Sequence, residues 1–565
     1  MIEIPSFAFF FAGALVALFL RGKILAAWCI AVPILSGLFI ISVDSAFSQN
    51  LHYSVGGIEL IIYQADRLSL LFGYVFHIAA ILGGIFSWRS DQPLFKSMSL
   101  MYVGSGLGAV FCGDLITLFI FWELMAFSST YLILVQGSVG AMRSGMRYLI
   151  IQIFSGLLLI IGAVVHYQQT GSIEFTYMGL SSVASALIFL AFGIKCAFPL
   201  LHNWLTDAYP ESTPEGTVFL SAITTKVAVY ALARGFAGVE VLVYIGALMT
   251  CFPIFYAVIE NDLRRVLAYS MINQIGFMVC GIGIGTELAI NGAVAHAFND
   301  IIFKGLLMMT MGAVLYRTGK MNGSDLGGLY KSMPKTATLC IIGAASISAF
   351  PLFSGFVSKS MVMSAALYEG YYIIWIALLF ASAGVFHHAG IKIPFFAFFA
   401  HDSGIRTKEA PMSMLIAMGL AAALCIGIGV FPELLYSLLP YQTDYTAYDS
   451  THVLAQVQLL LFSALAFVWL KLSGIYPPEL RGINIDAEWA YRKGLPNLYQ
   501  TFASVTQTGL GNFYAMLTGL CKQAFQIISR TTGRESRLSR EWTIDSMAIT
   551  AVAAFAALLY YLFLF

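Results

Sequence analysis

Six stretches of this sequence set ionisable side chains inside apolar runs. LFIFWELMAFSS, residues 118–129, has Glu123 as its one charge. AFGIKCAFPLLHNW carries Lys195 four residues before Pro199, and LSAITTKVAVYAL carries Lys226. VAHAFNDIIFKGLL carries His296, Asp300 and Lys304 at i, i+4 and i+8, one face of a helix. SAFPLFSGFVSKSMVM holds Lys359 beyond Pro351 and Gly355, and GVFHHAGIKIPFF holds His387, His388 and Lys392. Glutamate, lysine and histidine in apolar surroundings are groups whose protons can be made to come and go. Each charge near a bilayer centre costs about 2.5–3.5 kcal/mol on insertion scales, so such groups must pair, sit in water or be neutral. Buried ion pairs that only fix helix packing would account for one isolated pair. A set spread over six spans fits a hydrated proton or ion path better. Lys304, which could snorkel to the cytoplasmic edge, and His388, which could hydrogen-bond in the core, fit the packing role best.

The elements that must position these groups are membrane helices. Of 565 residues, 59% are hydrophobic and 10% charged. A soluble domain carries about a quarter charged residues, so too little polar surface remains for a water-exposed body. Sixteen apolar runs are long enough to cross, at approximately 5–21, 24–43, 68–88, 97–112, 115–135, 146–166, 180–199, 214–234, 240–259, 264–284, 288–315, 335–366, 371–394, 411–431, 453–473 and 544–564. Basic residues cluster in the odd-to-even loops (Arg21 and Lys23, Arg143 and Arg147, Arg264 and Arg265, Lys331 and Lys335), which places those loops in the cytoplasm and both termini outside. The expected location is a bacterial cytoplasmic (inner) membrane. The first run lacks a basic leader and a small-residue cleavage site and is expected to be retained as a helix. Between the last two spans, apolar residues from Phe502 to Ile528 recur at helical spacing, predicting an amphipathic cytoplasmic helix over 495–528. Arg530, Arg534, Arg537 and Arg540 then form a basic flank. The eight cysteines show no metal-binding spacing and are expected to pack as small apolar groups. A net charge of +1 and no base-stacking motif argue against a nucleic-acid partner. No metal and no cofactor are expected.

A proline inside an apolar span breaks the helix and frees carbonyls, which membranes tolerate where they face protein or a water-filled cavity. Pro199 and Pro351, 152 residues apart, mark two such breaks. The layout reads as two inverted five-helix repeats around a transport path. The expected organisation is helices 1–3 over 1–93, a first repeat of helices 4–8 over 94–236 and a second of helices 9–13 over 237–400. Helices 14–15 follow over 401–474, a cytoplasmic segment with its amphipathic helix over 475–543, and a last span over 544–565.

The stretches LFIFWELMAFSSTYL, GIKCAFPLLHNWLTDAYPESTPEGTVFLSAITTKVAVYALAR, NDLRRVLAYSMINQIGFM, VAHAFNDIIFKGLLMMTMGAVLYRTG and SGFVSKS resemble the antiporter-like subunits of multi-subunit Mrp-type Na+/H+ antiporters. That family is shared with respiratory complex I and membrane-bound hydrogenases. The resemblance covers roughly residues 94–400, and TTKVAVYALAR and HHAGIKIPFFAFF look most like the D-type subunits of Mrp systems. It implies an all-α fold of fourteen core helices with helices 7 and 12 broken, here within about sixteen transmembrane helices. It implies that Glu123 is the helix-five glutamate and Lys195 its helix-seven lysine partner, that Lys226 lies on the central axis, and that Lys359 lies toward the exit. Where relatives often have histidine four residues after His296, this chain has Asp300. The chain's end, with IDAEWAYRKGLP and a cytoplasmic helix, is more like the largest antiporter-like subunits.

The expected mechanism starts from a Glu123–Lys195 pair worth roughly 4 kcal/mol at 4 Å and an effective dielectric near 20, before desolvation. Neutralising Glu123 would leave Lys195 unpartnered, and its proton would pass by water through Lys226 and His296 to Lys359. Lys392 would serve the outer end. Asp300, ionised and holding His296 or Lys304 charged, would tune the path. The expected partners are other membrane subunits of a hetero-oligomeric complex, H+, with Na+ as the candidate second ion, and lipid. Alternatives are a proton-pumping subunit of a redox complex, or the membrane subunit of an inorganic-carbon uptake system.

Overall fold

The computed structural model describes residues 5–44, 50–55, 57–482, 484–532 and 544–563. The chain is overwhelmingly helical. Twelve of the described helices are long and apolar enough to cross a membrane, and Ser6–Ala17, Val183–Lys195 and Pro334–Ile347 are shorter apolar helices. The chain divides into two bodies, one running to Asn484 and one from Ile485 on. Residues 475–482 and Asn484, expected within a cytoplasmic segment, therefore belong to the first body. In the second body Leu495–Thr532 is one 38-residue helix, extending the one expected, and Ile544–Phe563 is another. Arg534, Arg537 and Arg540 fall outside the described residues.

The fold adds one element to the expected helices. Asn50–Val55 and Ile58–Gln64 pair as an antiparallel hairpin. Its turn includes Gly57 at φ +86°, a conformation that glycine adopts without steric cost. Asp114, just before helix Leu115–Leu134, ties the hairpin down by accepting from the Ile61 N–H at 2.7 Å.

The two helix breaks are copies of one another. Val183–Lys195 gives way to Asn203–Ala208, and Pro334–Ile347 to Ser354–Tyr368. Both breaks contain Ala-Phe-Pro-Leu, at 197–200 and 349–352. Among the described residues, the non-glycine positions with positive φ are the first and last of each tetrapeptide: Ala197 +61°, Leu200 +69°, Ala349 +57° and Leu352 +73°. The hydrogen bonds repeat as well. Phe198 N–H donates to the Gly193 carbonyl at 3.0 Å and Ala197 N–H to Ile194 at 3.1 Å. Phe350 N–H donates to Ala345 at 3.0 Å and Ala349 N–H to Ser346 at 3.0 Å. This is a Schellman ending with alanine where glycine is usual. Left-handed backbone costs an L-residue about 1–2 kcal/mol, so packing must hold four such residues in place. Aligning the tetrapeptides sets Lys195 opposite Ile347 and Lys359 opposite Asp207. The broken helices correspond, but their lysines do not: Lys195 precedes its break and Lys359 follows its own.

Candidate functional site

The ionisable residues singled out in the spans lie on helices packed against one another, and the second helix break brings the Ile347 carbonyl to Lys359. Lys195 is fully buried at the last turn of Val183–Lys195. Its Nζ donates to the Trp122 carbonyl at 2.6 Å and lies 4.3 Å from the Trp122 ring centroid. Trp122 is itself fixed by Nε1 donating to Ser155 Oγ at 3.0 Å. The next residue, half-buried Glu123, is the acid whose charge acts on Lys195. The two are electrostatic neighbours; no direct ion pair between them is found among the described residues. Glu123 Oε1 is buried against Gly156 of helix Val139–Thr170, where a Cβ would collide with the carboxylate. The missing side chain at Gly156 gives Glu123 its space.

The centre differs from expectation at Asp300. Its Oδ2 lies 2.7 Å from Lys226 Nζ, both side chains being fully buried, in an ion pair without good hydrogen-bond alignment. Lys226 Nζ also donates to the Ser221 carbonyl at 3.0 Å. Asp300 therefore pairs across helices with Lys226; among the described residues it makes no direct ion pair with His296 or Lys304, though its charge acts on Lys304. Spacing along Glu287–Thr318 put the three groups on one face; packing against Thr224–Gly235 then selected the partner. His296 instead bridges Ser358 Oγ at 3.0 Å and Gln274 Oε1 at 2.9 Å, linking three helices. Lys304 does not reach a surface. It is fully buried and donates to Ser270 Oγ at 2.8 Å. Lys359 Nζ donates to the Ile347 carbonyl, freed by the second break, at 3.2 Å, and lies 4.9 Å from the Phe277 ring centroid. The charge of Asp300 acts on Lys304 and Lys359 as well as pairing with Lys226, so one acid serves three lysines.

Lys392 also departs from expectation. It sits at the end of a π-helical turn, Phe386–Lys392, that includes His387 and His388. Its Nζ donates to the Val258 and Glu260 carbonyls, each at 2.6 Å. Glu260 caps the end of helix Val241–Ile259 beside Arg264 and Arg265. Lys392 thus faces the side that positive charge assigns to the cytoplasm, opposite to the outer end expected of it. The span's direction already carried that signal, because Lys392 lies near its C-terminal end.

Sequence reasoning missed Gly156 and two carboxylates near Lys392. Glu479 Oε1 lies 3.1 Å from Lys392 Nζ, and the Glu260 side chain accepts from the Asn261 N–H at 2.9 Å and Asn484 Nδ2 at 3.1 Å. Gly156 is legible only once the opposing helix is known, and Glu479 lies outside the apolar spans. Among the described residues no group of histidine, cysteine or acidic side chains could hold a metal ion.

Residues 112–386 match the family described as NADH:quinone oxidoreductase/Mrp antiporter, transmembrane. The chain is 30% identical over 356 residues to the D-type Na+/H+ antiporter subunit of Alkalihalophilus pseudofirmus, covering 59% of this chain and 72% of that protein. It is 31% identical over 436 residues to the A-type subunit of the same organism's Na+/H+ antiporter, covering 67% of this chain and 53% of the relative. The fold resembles a chain in the structure of the Mrp complex from Dietzia sp. DQ12-45-1b, with TM-score 0.66, 21% identity, and 82% and 96% of the two chains covered. It also resembles a chain of the membrane-bound sulfane sulfur reductase, an archaeal respiratory membrane complex, with TM-score 0.71, 21% identity, and 98% and 99% covered.

Proposed function

The chain belongs to the NADH:quinone oxidoreductase/Mrp antiporter membrane family, and from that premise we propose that it is the proton-conducting subunit of a multi-subunit monovalent cation/proton (Na+/H+) antiporter. The observation that carries the reading is the set of ionisable side chains running through the packed helices: Glu123, Lys195, Lys226, Asp300, Lys304, His296, Lys359 and Lys392. Burying that many charges without function would consume more free energy than a typical domain has, about 5–15 kcal/mol. A proton relay explains them with one cause.

In this reading Lys195 holds a proton while the Glu123 carboxylate is ionised nearby. Neutralising or displacing Glu123 leaves the ammonium in an apolar site with only a carbonyl and a ring, which favours its release. The proton passes to the Lys226–Asp300 centre, then by His296, Ser358 and water to Lys359, with Lys392 at the face bearing the 260–265 loop. The helix break at Pro351 supplies the Ile347 carbonyl along the way. The organisation into halves 94–236 and 237–400, both termini outside, and membrane-subunit partners complete the proposal. Its transport chemistry is ion movement and not covalent catalysis.

The test is Glu123→Gln in the assembled complex, with assembly followed on native gels and ion exchange followed as ΔpH in everted vesicles. Exchange should be abolished. Wild-type exchange in an assembled Glu123→Gln complex would remove the basis of the proposal.

A further inference from the structure

The cytoplasm-assigned end of the path closes on a segment outside the matched family region. After helix Ser450–Leu472 the chain runs through Tyr476, Pro477, Pro478, Glu479, Leu480 and Arg481 across the end of the π-helical span. It is tied at both sides: Arg481 pairs with Asp325 at 2.6 Å, and Asn484 Nδ2 donates to Glu260 Oε2 at 3.1 Å. Tyr476 packs its ring against those of His387 at 5.4 Å, Phe467 at 5.3 Å and Phe396 at 6.2 Å. Two successive prolines, each with its φ fixed by the ring, limit how the Glu479 backbone can move.

A lysine ammonium has three N–H donors. Lys392 donates to two carbonyls and lies 3.1 Å from the Glu479 carboxylate in an ion pair without good hydrogen-bond alignment, so the pocket is built for the charged form. Carbonyl oxygens orient the ammonium but cannot take its proton. Glu479 can, and neither of its buried oxygens accepts a hydrogen bond among the described residues. The side chain is only 7% exposed, and burial pushes its carboxyl up from the usual carboxylate range, toward conditions in which it holds a proton. The other titratable groups facing this site are Lys471, His387, Tyr476 and Glu260.

Resting on the proton-path reading, we propose that Glu479 is a further relay residue of the path, the carboxyl that exchanges protons with Lys392 and with water on that face. The step balances within the pair: the carboxylic acid gives its proton to the Lys392 amine, leaving carboxylate and ammonium, and the reverse step returns it. The carboxylate is then reprotonated from water on its own side. The Pro-Pro strap holds the acid within reach, and the ties at Arg481 and Asn484 hold the strap.

The experiment uses the full complex in everted vesicles, comparing Glu479→Gln, Glu479→Asp and Glu123→Gln at matched assembly. Glu479→Gln keeps the shape and removes the acid; exchange should fall by about a hundredfold, the lower range of what a positioned acid or base contributes. Glu479→Asp should recover most of it. Full exchange in Glu479→Gln beside a dead Glu123→Gln overturns this inference alone. Full exchange in both overturns the proton-path reading with it. Equal loss in the assembled Gln and Asp variants would make Glu479 a packing residue and overturn the inference as well.

Discussion

Asp300→Asn is the sharpest perturbation available, because one acid sits among three lysines. The Lys226–Asp300 contact at 2.7 Å corresponds to roughly 6 kcal/mol of attraction at an effective dielectric near 20, before desolvation. Removing one partner of a buried pair costs about 3–5 kcal/mol, since the other charge is left uncompensated. The protein can relieve that cost by letting Lys226 give up its proton. If it does, the occupied state of the central station loses at least about 3 kcal/mol, and exchange slows by more than a hundredfold. Lys304 and Lys359 lose the same nearby negative charge. Residual activity should therefore peak at lower pH than in the wild type.

The assay is ΔpH formation and decay in everted vesicles across a pH series, with assembly checked on native gels. A double variant, Asp300→Asn with Lys226→Met, separates stability from transport. Removing both partners should restore assembly toward wild type, because no buried charge is left alone, while exchange stays lost. Asp300→His supplies an acceptor without full negative charge and should retain intermediate activity. An assembled Asp300→Asn complex with wild-type rate and pH profile would refute the reasoning.

Gly156→Ala adds one methyl where Glu123 Oε1 now lies and should move the carboxylate away from Lys195. Exchange should fall toward the level of Glu123→Gln while thermal stability of the complex changes little, and unchanged exchange would show that the carboxylate's position is not critical. At the second break, Ala349→Val places a β-branched residue at φ +57° and should lower thermal stability, whereas Ala349→Gly should preserve or raise it. Equal stability of the two would mean that left-handed backbone is not what holds the break.

Much of this was legible because lipid penalises polarity. Glu123, Lys195, Lys226, Asp300, Lys359 and Lys392 stand out in the sequence for the reason that they are costly in the fold. The breaks were legible from Pro199 and Pro351, and their kinship was available too: Ala-Phe-Pro-Leu occurs in both, though four residues make a short identity in a chain rich in all of them. The hairpin left its signal in the Gly-Gly between alternating runs at 50–64, overshadowed by long apolar spans on either side. Pairing across helices was not legible. Helical spacing told which groups share a face with Asp300, but Lys226 approaches from another helix, and only packing decides that. Glu479 was invisible for a different reason. A carboxylate after two prolines in a polar connection is ordinary in sequence and becomes unusual only when the chain lays it on Lys392.

The acids and the bases differ in how they are tied, and that difference orders the proposed path. Glu123, Asp300 and Glu479 each face a lysine from a separate element: helix Leu115–Leu134 against Val183–Lys195, Glu287–Thr318 against Thr224–Gly235, and the strap against the π-helical turn. Pulling such a pair apart requires relative movement of two elements, so these pairs are suited to be switches. Lys304 and Lys359 are held differently, by the Ser270 hydroxyl and the Ile347 carbonyl. A lysine hydrogen-bonded to a neutral acceptor leaves no directly paired carboxylate behind when it loses its proton, and Asp300 acts on these two only from beyond its contact with Lys226. Protons would then rest at the acid-paired lysines and pass through the others. Lys195, before its break, and Lys359, after its own, each rest on a carbonyl: Lys195 on that of Trp122 on a neighbouring helix, next to Glu123, and Lys359 on the Ile347 carbonyl that its own break releases.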